Sequence, residues 1–147
     1  MPRPSSPRSM CPVNHALEIF GDRWTMLVVR DMIFNQKSSF SQLREMAEGI
    51  ATNILSDRLT QLEAAGIITK HPDESDGRRY HYSLTQHGRG LIPVLLELMV
   101  WSRRHNAKVN LPRSVLQQIT ADRDAAVAEI ERRLDASDAQ ARSASEG

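Results

Sequence analysis

Apolar residues recur at helical spacing through most of the chain, and at alternating spacing over one short stretch. Pro12 suits a first helical position, which puts Cys11 at the cap and Ala16, Leu17, Ile19 and Phe20 on or near a buried side; Gly21 ends that helix. A second helix runs from about Trp24 to Phe34, with Leu27, Val28 and Met32 among its apolar positions. The run NQKSS breaks the pattern. A short helix over FSQLREMA follows, capped by Ser39 or Ser41, and Ser39 with Gln42 has the spacing of a capping box. Gly49 marks a tight break, and the next helix covers IATNILSDRLTQLEAAGI until Gly66 closes it. Two short helices joined by a Gly-containing turn have the shape of a helix-turn-helix.

Beyond Gly66 the period changes. IITKH reads as a strand, PDESDGR as a loop with an Asp76-Gly77 turn, and RYHYSL as the returning strand, with Tyr80, Tyr82 and Leu84 alternating against Arg79, His81 and Ser83. Thr85 can cap a long helix from about Gln86 to Lys108. Its apolar residues Leu91, Leu95, Leu98, Met99 and Trp101 are too many for one stripe, so a second surface must cover part of them. Pro112 breaks the chain again, and one additional helix is expected within residues 111–134. Residues 1–10, rich in Pro, Ser and Arg, are expected to form a flexible arm, and residues 135–147 a disordered tail. Residues 11–110 then form one domain, mainly α with a small β-hairpin, on a winged helix-turn-helix plan.

The helix Ile50–Ala65 has an unusual polar side. Leu55, Leu59 and Leu62 fall within roughly 60° of one another on a helical wheel, and Asn53, Ser56, Asp57 and Thr60 lie opposite. Long charged residues would solvate such a face better. Short hydrogen-bonding groups suit close approach to base edges and phosphates. A solvated face built from weak helix formers gives the same pattern, and the hairpin behind the helix shifts the balance, because in a winged helix the second helix of the pair enters the major groove. Arg78 and Arg79, just past the Asp-Gly turn, are expected near the wing tip, where arginine can enter a narrow minor groove; pairing of Arg78 with Asp73, Glu74 or Asp76 is the alternative. Arg58 lies on the flank of the apolar stripe and either holds the helix pair together or reaches a phosphate.

Composition sharpens this only in part. The 147 residues suffice for one domain with a real core, and 40% hydrophobic with 25% charged residues is ordinary for a soluble protein. Aromatics at 5% argue against a base-stacking platform for single-stranded RNA. The net charge of +1 divides into 14 Lys+Arg against 11 Asp+Glu in residues 1–110 and 5 against 7 in residues 111–147, too mild a polarity to name a partner alone. No apolar run approaches a bilayer span and MPRPSSPRSM lacks a signal-peptide core, so a cytoplasmic protein without membrane attachment is expected. One cysteine agrees with a reducing compartment. His15, His71, His81, His87 and His105 are scattered, no cysteine pair helps hold zinc, and neither a phosphate loop nor a nucleophile elbow occurs. No enzyme, metal or cofactor is expected.

Three segments, CPVNHALEIFGDRWTMLVVRDMI, FSQLREMAEGIATNILSDRLTQLEAAGII and YSLTQHGRGLIPVLLELMVWSRRH, resemble in order and spacing the HxlR family of bacterial transcriptional regulators. The resemblance covers about Cys11 to His105. It implies a dimeric winged-helix protein that binds double-stranded operator DNA, with Ile50–Ala65 as recognition helix and Pro72–Arg79 as wing. It also implies a dimer interface made by the first helix and the long helix near Trp101, with Val13, Leu17, Leu95, Leu98, Met99 and Trp101 as its apolar contacts. On this basis Thr52, Asn53, Ser56, Arg58 and Thr60 are expected to meet DNA from the recognition helix. Ser41, Gln42 and Arg44 on the preceding helix would meet the backbone, and Arg78 and Arg79 would act from the wing. Asp57 is left open, since a carboxylate must avoid phosphates and can accept only from a cytosine amine. Many family members carry a Ser-Pro pair where Ala51-Thr52 stands here; loss of a cap costs about 1 kcal/mol unless Thr52 takes over the role. The wing is more charged than many in the family, and residues 112–147 lie outside the resemblance.

Cys11 is a candidate redox sensor. A thiol at a helix N-cap meets unpaired backbone N–H groups and the positive end of the helix dipole, and in some proteins resembling this one the cysteine at this spot senses oxidants or electrophiles. A plain cap residue is the alternative. Two further alternatives remain open: a ligand-gated regulator with a small-molecule inducer held at the dimer interface, and a winged helix that binds proteins without binding DNA.

Overall fold

Local signals set most of the helix boundaries in a computed structural model that describes residues 6–145. Residues 1–5 of the expected arm and residues 146–147 of the expected tail lie outside the described residues. Pro12 starts α1 (Pro12–Phe20) with Cys11 as N-cap, and α2 spans Thr25–Phe34. Ser39 and Gln42 close a reciprocal capping box on α3 (Phe40–Arg44). The helix α4 (Thr52–Ala64) begins from Ala51, whose side chain offers no cap; Thr52 occupies the first turn and does not replace it. Its C-terminus is a Schellman motif: Gly66 at φ +75° lets its N–H reach the Glu63 carbonyl and the Ile67 N–H reach the Leu62 carbonyl, both at 3.0 Å.

The strands β1 (Ile68–Pro72) and β2 (Tyr80–Leu84) pair antiparallel in the register Ile68↔Leu84 to Pro72↔Tyr80, leaving residues 73–79 as the wing loop. An isolated bridge between Ser39 and His81, with the Tyr82 N–H donating to the Ser38 carbonyl at 2.7 Å, ties the hairpin to the start of α3. The core lies between these elements: Val28 and Val29 of α2, Leu43 of α3, and Leu55, Leu59 and Leu62 of α4 are each at most 2% exposed. Burying side chains of this size contributes about 1.5–3 kcal/mol apiece.

The single long helix expected from Gln86 is two. Thr85 caps α5 (Gln86–Arg89), and α6 (Ile92–His105) starts anew with Pro93 in its first turn. Gly88 explains the close seat of α5 against the residue that leads into β1, since a Cβ there would stand 2.2 Å from the Ile67 carbonyl oxygen. The C-terminal region differs from expectation as well. It forms α7 (Arg113–Ala121) and α8 (Arg123–Ser145), divided at Asp122, whose extended backbone and side chain cap the second helix by accepting from the Ala125 N–H at 3.0 Å. Helix continues over residues 135–145 where a disordered tail was expected. Alanine-rich composition favours it locally. Ile130 and Leu134 bury against the core, and Arg89 bonds Asp135 and Asp138 at 2.7 and 3.1 Å. The helix α1 also departs from expectation: none of its residues is buried, and Leu17 is 54% exposed.

Candidate nucleic-acid interface

The polar face of α4 remains open in the folded chain. Thr52, Asn53, Ser56, Asp57 and Thr60 are all exposed, while the leucines on the other side anchor the helix in the core. Their hydrogen-bonding groups differ in freedom. The Thr60 hydroxyl donates to the Ser56 carbonyl within the helix, which commits its proton but leaves its oxygen an acceptor. Asn53 and the Ser56 hydroxyl have no side-chain partner among the described residues.

Arg58 is not free. Its Nε donates to Asp22 at 2.9 Å and its Nη1 to Asp57 at 2.8 Å, with 23% of the side chain exposed. Its partner is therefore neither a phosphate nor the other helix of the pair: Arg58 ties α4 to the segment that starts α2. Sequence reasoning missed Asp22. That carboxylate accepts from the Trp24 and Thr25 N–H groups at 2.8 and 2.9 Å and from the Thr25 hydroxyl at 2.5 Å, so it caps α2 while gripping α4. Burial opposes ionisation of Asp22, yet the hydroxyl, the two N–H groups and Arg58 outweigh it and the net pKa shift is downward. An acid three residues before a helix-starting Thr was the available signal; the partner 36 residues away carried none.

On α3, Ser41 and Arg44 are exposed and Arg44 has no partner among the described residues. Gln42 is also exposed, but its Oε1 accepts from the Ser38 and Ser39 N–H groups at 2.9 and 3.2 Å, leaving only its amide nitrogen for another contact. The wing is ordered from within. Asp73 accepts from the Ser75 hydroxyl and N–H and pairs with His81 at 3.1 Å, and these bonds, the hydroxyl first, lower its pKa to about 2. Arg78 and Arg79 stand clear: their side chains are 94% and 78% exposed, with Asp76 loosely placed at 3.5 and 3.7 Å.

The residues expected at a dimer interface divide. Val13, Leu17, Leu98 and Trp101 are 65%, 54%, 47% and 64% exposed, forming an apolar strip on α1 and another on α6. Trp101 meets the His105 ring in a tilted contact, with centroids 4.9 Å apart and planes inclined by 41°. Met99 is half-buried, and Leu95 is buried within its own chain, packed into the core with Leu96 and Val100. Cys11 is exposed, and its thiol makes no cap hydrogen bond. Two shallow clefts, one between α4 and β1 and one between α8 and the wing base, are not lined by Met99 or Trp101. Among the described residues no group of three or more His, Cys, Asp or Glu is placed to hold a metal ion, and no helix is long and apolar enough to cross a membrane.

Comparison with known proteins gives concordant findings. The family described as HxlR-like helix-turn-helix matches residues 19–110. An uncharacterized HTH-type transcriptional regulator of Mycobacterium tuberculosis is 39% identical over 89 residues, which is 60% of this chain. The match spans only 55% of that relative's length. Among solved structures, PA1607 superposes with a TM-score of 0.63 at 33% identity, covering 72% of each chain. The redox regulator HypR in its oxidized form superposes with a TM-score of 0.56 at 28% identity, covering 65% of this chain and 98% of that one.

Proposed function

The chain belongs to the HxlR-like helix-turn-helix family of transcriptional regulators, and from that premise we propose that it is a cytoplasmic homodimer that binds double-stranded operator DNA sequence-specifically and represses nearby genes. The observation that carries this reading is the short-chain polar face of α4, exposed beside a wing whose two arginines have no firm partner. With α4 in the major groove, Thr52, Asn53, Ser56 and Thr60 meet base edges. Ser41, Arg44 and the Gln42 amide nitrogen position α3 on the backbone. Arg78 and Arg79 meet the flanking minor groove, where negative potential is focused. Arg58 serves by fixing α4 against the start of α2. The apolar strips on α1 and α6 cover one another in the dimer, with Val13, Leu17, Leu98 and Trp101 at the contact.

Fluorescence anisotropy on the DNA upstream of the coding region, at two salt concentrations, tests the docking. Replacing Arg78 and Arg79 together by Ala removes four cations from the dimer and is expected to weaken binding to every sequence and to reduce the slope of log K against log salt by about three to four. Asn53→Ala is expected to alter base preference with little change in that slope. Wild-type behaviour in both variants would overturn the docking, and no binding at low salt would favour a winged helix that engages proteins instead.

Cys11 adds a second layer, favoured by its exposure at the start of α1 and by the likeness to the redox regulator HypR. Its thiol adds to a quinone ring, forming an S–C bond while the thiol proton passes to the quinone to give the hydroquinone thioether. Alternatively it forms a disulfide with the partner's Cys11 as diamide takes both thiol hydrogens and becomes the hydrazine. Either product beside α1 shifts the dimer and so the spacing of the two recognition helices. Diamide or quinone is expected to change operator binding by the wild type at least fivefold and to leave Cys11→Ser unchanged. Equal responses of the two proteins would remove the redox layer.

A further inference from the structure

We infer that Asp57 is a base-reading residue that selects cytosine at one position of each half-site. This rests on the docking of α4 proposed above. A carboxylate near DNA ordinarily repels phosphates, and its presence on a recognition face needs a reason. The structure supplies one in how the group is held. Its Oδ2 accepts from Arg58 Nη1 at 2.8 Å and from Gln61 Nε2 at 3.0 Å, so two donors from the next residue and the next turn fix the side chain. Arg58 is in turn held by Asp22 through a separate nitrogen, so the guanidinium beside Asp57 is itself anchored. The other oxygen, Oδ1, accepts no hydrogen bond among the described residues, and the side chain is 55% exposed. One oxygen is saturated, the charge is partly offset, and the remaining oxygen is a pure acceptor.

The chemistry of the major groove then chooses the partner. A pure acceptor needs a donor, and the base edges there offer two, the cytosine N4 amine and the adenine N6 amine. The adenine amine lies beside the N7 acceptor, whose lone pair repels a carboxylate; the cytosine amine lies beside a C–H. Guanine and thymine present acceptors to it at N7, O6 and O4. Cytosine is the base this group tolerates best. Asp57 lies one turn beyond Asn53 on the same exposed side, in the N-terminal half of α4 that reaches base edges in helix-turn-helix proteins.

Selection of bound sequences from a randomised duplex pool, for the wild type, Asp57→Ala and Asp57→Asn, tests the inference. The wild type is expected to show one position per half-site with cytosine preferred. Asp57→Ala is expected to lose that preference, by about tenfold in discrimination, with preferences elsewhere kept. Asp57→Asn, which can donate as well as accept, is expected to move the preference at the same position toward adenine. Both variants keep an exposed site, and circular dichroism checks that they fold. If Asp57→Ala bound all sequences more tightly with unchanged preferences, the carboxylate would only repel phosphate and the inference would fall while the docking stood. If the wild type selected no sequence at all, the DNA-binding reading would fall, and this one with it.

Discussion

Trp101→Glu is expected to convert the proposed dimer into monomers and to weaken operator binding by about 100-fold. Trp101 is 64% exposed in the protomer and adjoins Leu98 on the outer face of α6. In a two-fold interface each substitution occurs twice, so its cost to association is doubled. Burying a carboxylate there without a partner costs several kcal/mol, which most dimers of modest area cannot absorb. The DNA effect follows from valency. A dimer presents a second α4 to the neighbouring half-site at high effective concentration, worth a factor on the order of 10²–10⁴. Light scattering coupled to size exclusion reads the mass, and anisotropy reads the affinity. Because Trp101 contributes little to the protomer core, thermal unfolding of the monomer is expected to remain cooperative. A variant that stayed dimeric with full affinity would place the interface elsewhere.

Asp31→Ala is expected to destabilise the protein by about 3 kcal/mol, the scale for breaking a buried ion pair. Asp31 is 1% exposed and is the one buried acid among the described residues. It accepts from Asn35 Nδ2 at 2.9 Å, pairs with Lys37 Nζ at 3.0 Å, and meets Arg30 at 2.9 Å. Arg30 goes on to clasp Glu48 with both terminal nitrogens, at 2.7 and 2.8 Å, and Glu48 stands in the turn between α3 and α4. That bond holds the Glu48 carboxyl below its usual pKa. Removing the Asp31 carboxylate strands Lys37 and Asn35 at the end of α2, where Gln36 already sits at φ +52° in a region that residues with a Cβ rarely adopt. A fall in the thermal midpoint of about 10 °C is expected, read by calorimetry. Asp31→Asn, which keeps the shape and drops the charge, should fall between. An unchanged midpoint for both would mean that the network adds nothing net.

Much of the helix-turn-helix was legible because its signals are local. Ser39 and Gln42 announced a capping box, Gly66 a left-handed cap, and the three leucines of α4 a buried stripe, each within one or two turns of chain. The Asp76-Gly77 turn and the alternation of Tyr80, Tyr82 and Leu84 placed the hairpin by the same means. Legibility failed where two local signals conflicted. Gly88, Gly90 and Pro93 together divide what looked like one long helix, since each is tolerated singly near a helix start. It failed again in residues 135–145, where polar composition suggested a tail and the helix instead gains anchors outside its own stretch.

The chain by itself determined its periodicities, its caps and the polar side of α4, because those depend on neighbours three or four residues apart. Only the tertiary structure decided which polar groups are free to act. It tied Arg58 to Asp22 across 36 residues and Arg89 to Asp135 across 46, drew Leu95 inward and left Trp101 outside. A side chain's availability is set by what the fold brings within about 3 Å of it, and sequence separation carries no measure of that distance.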